Sequence, residues 1–201
     1  MLTIAIQAGG QSSRMGTDKA LVELDGKPLI EHVLDRVRGL GQDFLITSNN
    51  PEKLAYLGIR LVRDRIPGAG ALHGLETALL AAEGDDVLLV ACDAPFVSRD
   101  LLEHMLAMHT QADVIIPKKH GRYEPLQALY KRATCLPAVE LALQSGQRRM
   151  ISFFPSVDVF PIDEASLAEL DPQGISFFNV NTPADLQQAE EILHGSQQAE
   201  L

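Results

Sequence analysis

The sequence is short of cysteine, of positive charge and of long apolar runs. Its two cysteines, Cys92 and Cys135, form neither a disulfide framework nor a metal-ligand spacing. Acidic residues outnumber basic ones by 27 to 17, and the net charge of −10 argues against a nucleic-acid partner, because nucleic-acid binders need a basic surplus. No apolar run approaches the roughly 20 residues of a membrane-spanning helix. Residues 1–8 lack the basic start of a signal peptide, so we expect a cytoplasmic protein with no membrane partner.

Short apolar runs alternate with helical patterns and predict one α/β domain over residues 1–194. The length of 201 residues and the hydrophobic share of 46% are ordinary for such a domain. Helical spacing between the runs indicates right-handed crossovers, and so a doubly wound, mostly parallel sheet. Continuous runs of Ile, Val and Leu are typical of parallel strands buried on both faces, and they occur at 2–7, 43–48, 59–63, 86–92 and 113–117.

The C-terminal half is predicted to be less regular and partly antiparallel, because no full crossover helix separates each pair of runs. We expect strands at 126–131, 157–162 and 175–180, a helix at 133–144 and a last helix from 183 to about 193. Thr182 is the predicted N-cap of that last helix, and Pro183 takes its first position. Residues 195–201 are polar and are predicted to form a frayed tail.

A glycine-rich segment, AGGQSSRMGTDK at residues 8–19, follows the first predicted strand. Glycine lets backbone amides approach a phosphate closely, and the segment adds two cations, Arg14 and Lys19, at the same end of the sheet. It is neither a Walker loop nor a dinucleotide-binding motif, because no lysine directly follows its last glycine and because Gly9 and Gly10 are adjacent. The pattern predicts an anion-binding loop. The alternative is a glycine-rich turn with solvated charges.

A carboxylate follows the most apolar of the predicted strands. Asp93 lies in the segment CDAP, at residues 92–95, directly after the run DVLLVA. Ligands of open α/β sheets bind beyond the carboxyl ends of the strands, and a carboxylate there can hold Mg²⁺ together with substrate phosphates. The alternative is that Asp93 caps the turn before the next helix. The six histidines show no zinc-ligand spacing, so we expect no zinc site.

Together these segments make the sequence similar to a known family. The motif A-G-G-x-S-x-R-M-G-x-D-K, followed by a G-K-P-L segment at 26–29, resembles the nucleotidyltransferases. More closely, the chain resembles the molybdenum cofactor guanylyltransferases. That similarity continues through GALHGLETAL (70–79), CDAP (92–95), YEPLQALY (123–130), SGQRRM (145–150) and NVNTPADL (179–186). It covers nearly the whole chain in the family's order. Gln7 departs from the pattern, since the family usually has an aliphatic residue there, and we expect little consequence.

The resemblance implies a Rossmann-like nucleotidyltransferase fold, Mg²⁺ as cofactor, and transfer of GMP from GTP to the phosphate of molybdenum-molybdopterin with release of pyrophosphate. It implies that Arg14, Lys19 and Asp93 are catalytic and that Asp93 is the metal ligand. The nucleotide contacts that it implies are Ala8, Gly9, Gly10, Lys19, Asn49, Asp64 and Asp93. For Asn49 and Asp64, the alternative is a turn or cap role at a strand end.

Four further residues are candidates for the acceptor side of the site. Arg148 and Arg149 match the family's SGQRRM segment, which implies a position near the pterin phosphate or the triphosphate, and a guanidinium binds two phosphate oxygens at once. The alternative is a solvated face at a helix start. Asn179 and Asn181 would share one face of the predicted strand, which favours paired hydrogen bonds to a ligand or metal shell. A cap for the last helix is equally compatible with this pair.

Other functions remain open from the sequence. The nearest is the same chemistry with CTP, or with a sugar phosphate as acceptor, and a nucleotide or cofactor carrier without turnover is another. Lys19 and Asp93 together favour turnover, because a passive binder does not need both. The preference for guanine follows chiefly from the resemblance. The implied small-molecule partners are GTP and molybdenum-molybdopterin, and the implied protein partners are molybdenum-insertion proteins and apo-molybdoenzymes.

Overall fold

The computed structural model describes residues 1–9 and 18–199, except the side chains of 196–199, and is built around one large sheet. The sheet order is β10-β7-β9-β6-β1-β4-β5, with β8 paired to β7, while β2 and β3 form a separate hairpin. The strands are β1 (Leu2–Ala8), β2 (Glu23–Leu24), β3 (Lys27–Pro28), β4 (Asp43–Ser48), β5 (Arg60–Arg63), β6 (Asp86–Ala91), β7 (Val114–Lys119), β8 (Arg122–Tyr123), β9 (Gln127–Lys131) and β10 (Val159–Ile162).

Most neighbouring strands of this sheet are parallel. β6, β1, β4 and β5 run in one direction, and β10 is parallel to β7. β9 is antiparallel to β6 on one side and to β7 on the other, and β8 forms an antiparallel pair with β7. The predicted α/β fold is confirmed, including the antiparallel portion in the C-terminal half.

Helices cover both faces of the sheet. Ile4 and Ile6 of β1 point to the face that carries α1, α3 and α5, and Ala5 points to the face that carries α2 and α4. Both apolar layers are buried, as the continuous apolar strands predict. The helices are α1 (Leu29–Val37), α2 (Ala71–Ala81), α3 (Arg99–Ala107), α4 (Arg132–Gln144), α5 (Glu164–Leu170) and α6 (Pro183–Ala199), and short 3₁₀ helices occupy Lys19–Leu21, Pro51–Leu57 and Phe154–Ser156. No helix of the described residues is long and apolar enough to cross a membrane.

The run predicted as a strand at 175–180 is not one. The carboxylate of Asp171 accepts hydrogen bonds from the amides of Ile175 (3.2 Å) and Ser176 (2.9 Å), and the Phe178 amide donates to the Ile175 carbonyl (2.9 Å). These bonds use the amides in local turns, so they are not available for a sheet ladder. The apolar residues of this run instead pack under α6, in a third cluster that includes Val180.

The last helix begins at Pro183 as predicted but continues to Ala199. The predicted frayed tail from residue 195 is therefore helical over 195–199. Gly195 suggests an end of the helix, but an internal glycine costs only about 1 kcal/mol relative to alanine, and the following glutamines and alanine favour helix. Helix α5 was not predicted at all, although Asp163 supplies an N-cap whose carboxylate accepts from the Ser166 amide (2.9 Å).

The parallel strands end together at one edge of the sheet, which we call the carboxyl edge. The register pairs Gln7 with Ala91 of β6, and Ala8 with Ser48 of β4. The segments that follow β1, β4 and β6 therefore leave the sheet side by side. This brings Gly9, Asn49 and the Asp93 segment to the same edge, as predicted for an open α/β sheet.

Ser98 provides a test of how α3 is anchored. Its Oγ accepts from the Leu101 amide (3.2 Å) as the N-cap of α3, and it donates to the Leu170 carbonyl at the end of α5 (2.6 Å). We expect Ser98→Ala to lower the free energy of unfolding by roughly 1–2 kcal/mol in urea titrations, because both bonds are lost. The matched change Ser145→Ala, at an exposed serine after α4, should stay within about 0.5 kcal/mol of wild type. Equal effects of the two changes would contradict this anchoring role.

Candidate active site

An ion pair at the carboxyl edge joins three distant parts of the chain. The Lys19 ammonium lies 3.0 Å from Asp93 Oδ2 and also donates to the Asn181 side-chain oxygen. Lys19 opens a 3₁₀ helix capped by Asp18, whose carboxylate accepts from the Ala20 amide. Asp93 comes two residues after the end of β6. The side chains of Lys19 and Asp93 are only 20% and 15% exposed, so the pair is shielded from most of the solvent.

Asn181, the third member of this group, is held in place by hydrogen bonds at the start of α6. The amides of Asn181 and Thr182 both donate to the Asp185 carboxylate (2.9 and 2.8 Å), and Thr182 Oγ1 accepts from the Asp185 amide (3.2 Å). Hydrogen bonding, first from the Asn181 amide, lowers the pKa of Asp185. The Val180 amide donates to the Asp93 carbonyl (2.9 Å), which fixes this segment against the end of β6. Thr182 is the N-cap predicted from the sequence.

A second group surrounds Gly9 at the end of β1. A Cβ atom at Gly9 would overlap Asp64 Oδ2, so only glycine fits this close approach. Asn49 lies beside it, and its side-chain oxygen accepts from the Gly68 amide (3.2 Å). Asp64 is buried, and within the described residues its Oδ1 has no hydrogen-bond partner. Burial raises the pKa of Asp64, and attraction to the nearby His73 opposes that shift.

A cleft of about 320 Å³ lies between these groups. Its wall is partly charged and partly apolar, which suits a ligand with both phosphates and an aromatic base. Cys92 contributes to the wall, but burial raises the pKa of its thiol well above the usual range, so it is unsuited to act as a thiolate nucleophile. The lining residues are Gln7, Gly9, Lys19, Gly68, Gly70, Ala71, Ala91, Cys92, Asp93 and Leu126.

The oxygen donors at Asp93 suit a hard divalent cation. Asp93 Oδ2 and the Asn181 side-chain oxygen both contact one cation, the Lys19 ammonium. Over residues 1–9 and 18–199, no three His, Cys, Asp or Glu side chains converge on a point that could hold a metal ion. A cation at Asp93 would therefore need further ligands from a substrate or from water. Mg²⁺ commonly binds in this way, through one or two carboxylates plus substrate phosphates.

The remaining predicted site residues lie elsewhere or outside the described chain. Arg148 and Arg149 are exposed in the turn after α4, not at a helix start, and the Arg148 guanidinium donates to the adjacent Gln147 carbonyl (3.4 Å). Asn179 is exposed, and because 175–180 is not a strand it does not share a strand face with Asn181. Instead its carbonyl accepts from Asn181 Nδ2 (3.2 Å). The predictions for Gly10 and Arg14 fall on residues outside those that the structure describes.

Sequence reasoning missed a group of ionisable side chains, two on α2 and one in the segment before it. Glu76 Oε2 lies 3.5 Å from His73 Nδ1, and Glu76 Oε1 lies 3.3 Å from an Arg65 guanidinium nitrogen. Both His73 and Glu76 are buried, and His73 is close enough to Asp64 to influence its titration. The signal that was available is the presence of two ionisable residues within the otherwise apolar pattern of GALHGLETAL.

Known proteins resemble this chain both in sequence and in fold. Residues 4–159 match the model of the MobA-like NTP transferase domain. A Pelotomaculum thermopropionicum protein named "Probable molybdenum cofactor guanylyltransferase" is 36% identical over 194 residues, covering 96% of this chain and 94% of that protein. A molybdenum cofactor guanylyltransferase of Desulfosudis oleivorans is 34% identical, covering 94% of each chain. The crystal structure of molybdopterin-guanine dinucleotide biosynthesis protein A from Archaeoglobus fulgidus superposes with a TM-score of 0.82 at 31% identity, covering 96% of this chain and 99% of that one.

The buried carboxylate of Asp64 predicts a stability gain on neutralisation. Because its folded-state pKa is raised above the ordinary 3.8, ionisation of Asp64 opposes folding above that pH. We expect Asp64→Asn to raise the unfolding free energy at pH 7.5 by about 1 kcal/mol, the desolvation cost of an unpaired polar group. The gain should shrink as the pH falls through the raised folded-state pKa and should vanish below 3.8, where the wild-type carboxyl is neutral in both states. Thermal unfolding at several pH values measures it.

Asp43→Asn is the control of opposite sign. Burial alone would raise the pKa of Asp43, but hydrogen bonds from Arg60, Thr3 and the Glu83 amide lower it overall. Its carboxylate therefore stabilises the fold at neutral pH, and the asparagine variant should be less stable than wild type at pH 7.5. If Asp64→Asn were also destabilising at that pH, the assignment of Asp64 as an uncompensated buried carboxylate would be wrong.

Proposed function

The chain belongs to the MobA-like NTP transferase family and is a nucleotidyltransferase, and on this premise we propose that it transfers GMP from GTP to the phosphate of molybdenum-molybdopterin. The products are the molybdopterin guanine dinucleotide cofactor and pyrophosphate. The observation that carries the proposal is the shielded Lys19–Asp93 pair at the carboxyl edge, because a cation and a metal-binding carboxylate are what transfer between two anionic substrates requires. Full-length similarity to guanylyltransferases supports the choice of substrates.

For the nucleotide, we propose a position that begins at the end of β1. The backbone of Ala8, Gly9 and Gly10 would face the triphosphate, with the cations Arg14 and Lys19 beside it. The position of Gly9 in the wall of the cleft, together with Lys19, supports this. Asn49 and Asp64 then lie on the far side of Gly9, where the ribose or the base would be held.

For the metal, we propose that Asp93 and Asn181 hold Mg²⁺ when the nucleotide is bound. Their oxygens already share one cation, the Lys19 ammonium, which supports their suitability as ligands. Bound Mg²⁺ would neutralise charge on the phosphate oxygens. Lys19 would then shift its contacts from Asp93 to the phosphates, with its charge kept at the reacting centre.

The transfer itself needs little proton chemistry. An oxygen of the acceptor phosphate attacks the α-phosphorus of GTP, a new P–O bond forms, and the bond from the α-phosphorus to the bridging oxygen of the β-phosphate breaks. Pyrophosphate leaves with the electron pair. The attacking phosphate is already ionised at pH 7, so no general base is required. The role left to the protein is to position two anions and to stabilise the charge that develops on the leaving group, for which Lys19 is placed.

On the acceptor side, we propose Arg148, Arg149, Asn179 and Asn181 as contacts of molybdopterin. Asn181 is already next to Asp93, and Asn179 lies in the same segment. The two arginines are exposed and their guanidinium groups are available to an anionic ligand. For the two arginines the proposal follows from the matching SGQRRM segment.

The decisive experiment compares nucleotides and acceptors directly. Purified protein is mixed with Mg²⁺, molybdenum-molybdopterin and each of the four nucleoside triphosphates, and pyrophosphate release and dinucleotide formation are measured. We expect GTP to be preferred over CTP by at least about a hundredfold in kcat/KM, a difference of ~2.7 kcal/mol. Equal or better use of CTP would make the protein a cytidylyltransferase. Nucleotide binding without pyrophosphate release would favour a carrier, and a sugar phosphate as the better acceptor would replace molybdopterin.

Lys19→Met tests the proposed role of the ammonium group. Removing a preorganised charge from such a site should lower kcat by ~10²–10³, with a smaller effect on KM for GTP, since the charge acts mainly in the transition state. Lys27→Met is the matched control: Lys27 forms an ion pair with Asp35 on the surface, away from the cleft, and its kcat should stay within about twofold of wild type. A Lys19→Met variant with unchanged kcat would contradict the proposal.

A further inference from the structure

Glu124 is a half-buried carboxylate at the carboxyl edge that the proposed reaction does not use. It lies between β8 and β9, and Leu126 of the same segment lines the cleft together with Asp93. Among the described residues its carboxylate forms no hydrogen bond or ion pair. Burial raises the pKa of Glu124, and attraction to Lys119 and Arg122 opposes that shift. A partly desolvated carboxylate without a bonded partner costs stability, and a ligand that donates to it would remove that cost.

The backbone of Glu124 is held on both sides. Its amide donates to the Pro117 carbonyl of β7 (3.0 Å), and its carbonyl accepts from the Gln127 amide at the start of β9 (3.0 Å). Pro125 follows, with the fixed φ of proline, and its carbonyl accepts from the hydroxyl of the buried Tyr130 (2.6 Å). The carboxylate is therefore presented from a hydrogen-bonded turn of fixed shape.

The alternation of side chains places Glu124 on the face of the sheet that carries the Asn181 segment. Lys119 and Arg122 are paired across β7 and β8 and so share one face, and Glu124, two residues after Arg122, falls on that face. The Lys119 ammonium lies 5.5 Å from the centre of the Phe177 ring. Phe177 belongs to the segment that leads to Asn181, which is one of the proposed acceptor contacts.

The strand order places Glu124 on the opposite side of Asp93 from the nucleotide. The neighbouring strands are β9, β6, β1 and β4 in that order, and β9 is antiparallel, so its start lies at the carboxyl edge. Glu124 precedes β9, Asp93 follows β6, and Gly9 and Asn49 follow β1 and β4. Three strand spacings of about 4.8 Å, roughly 14 Å, therefore separate the Glu124 end of this edge from the Asn49 end. With the nucleotide on the Gly9 and Asn49 side, the substrate that reaches Glu124 is the acceptor.

The chemistry of a carboxylate limits what Glu124 can bind in a site for two anions. The phosphates of both substrates present acceptor oxygens, so the negative charge of Glu124 repels them. The pterin ring of the acceptor differs, because its N3–H and its 2-amino group are two donors side by side on one edge. The two oxygens of a carboxylate match such a pair, and hydrogen bonds to a charged group are stronger than those between neutral groups.

We propose that Glu124 is a specificity-determining residue for the acceptor, whose carboxylate accepts hydrogen bonds from the N3–H and the 2-amino group of the pterin ring. This inference rests on the proposed function, because it takes molybdenum-molybdopterin as the acceptor and the Gly9 side of the cleft as the nucleotide site. Glu124 would hold the ring of the acceptor while the acceptor phosphate lies near Asp93. The attacking oxygen is then oriented from both ends of the molecule.

The test compares the two KM values of Glu124→Gln with those of the wild type. Initial rates of pyrophosphate release are measured with molybdenum-molybdopterin varied at fixed GTP, and with GTP varied at fixed acceptor. We expect the KM for the acceptor to rise about tenfold, because the amide offers one acceptor and one donor where two acceptors are needed, and the KM for GTP to stay within twofold. If Glu124 only contributed charge, its removal would instead lower the KM for both anionic substrates.

Glu140→Gln is the matched control. Glu140 is also half-buried, but it lies on α4, which covers the opposite face of the sheet from Phe177, so both KM values should stay within about twofold of wild type. The melting temperature of Glu124→Gln at pH 7.5 should not fall, because the raised pKa of Glu124 means that its ionisation opposes folding. Glu124→Asp keeps the charge on a shorter side chain and should raise the KM for the acceptor less; it decides the question if the glutamine variant does not fold.

The outcomes separate this inference from the function that it assumes. An unchanged or lower KM for the acceptor in Glu124→Gln, or an equal rise in both KM values, would overturn this inference alone. A higher Mg²⁺ concentration for the half-maximal rate, with the KM for the acceptor unchanged in saturating Mg²⁺, would make Glu124 a metal ligand and also overturn it. Failure of the wild-type protein to release pyrophosphate from GTP and molybdenum-molybdopterin would overturn the proposed function and this inference with it.

Discussion

The candidate site depends on the contact between Lys19 and Asp93. The two residues lie 74 positions apart, and Asn181, which completes the group, lies 162 positions from Lys19. None of the three is in a strand. Lys19 lies in the first 3₁₀ helix, Asp93 comes two residues after the end of β6, and the Val180 amide bonds the Asn181 segment to the Asp93 carbonyl. The parallel pairing of β1 with β6 is what brings these segments to one edge.

The sequence predicts this arrangement where strong local signals agree with the fold. The apolar runs predict the bounds of the parallel strands to within one or two residues. Asp93 lies close to the end of β6, as this pattern predicts. The predicted strand at 175–180 is wrong because apolar residues of this run pack under α6. Its amides donate to the Asp171 carboxylate and so do not form a sheet ladder. Hydrophobic pattern alone does not distinguish a strand from an apolar turn that packs beneath a helix, since the difference lies in where the backbone hydrogen bonds go.

The surroundings of a side chain are harder to predict from the sequence than its position along a strand. From the sequence, Gln7 is a minor change at a strand end. In the structure its Nε2 donates to the Ala71 carbonyl, Gly74 packs on the amide, and its oxygen is buried without a partner among the described residues. Asp64 likewise reads as a polar residue at a strand end, whereas in the fold it is buried against Gly9. Among the described residues, each has a buried side-chain oxygen without a hydrogen-bond partner. Such groups lower the stability of the ligand-free protein and are typical of sites that are completed by a ligand.

The bond from the Val180 amide to the Asp93 carbonyl has a consequence for the order in which the molecule is made. Ile162, the end of the last strand, leaves the ribosome before the segment that carries Asn181 does. A nascent chain at that stage can already pair all of its strands, while the amide oxygen of Asn181 has not yet reached Lys19. The Asn181 side chain is therefore the last member of the group to become available to the site.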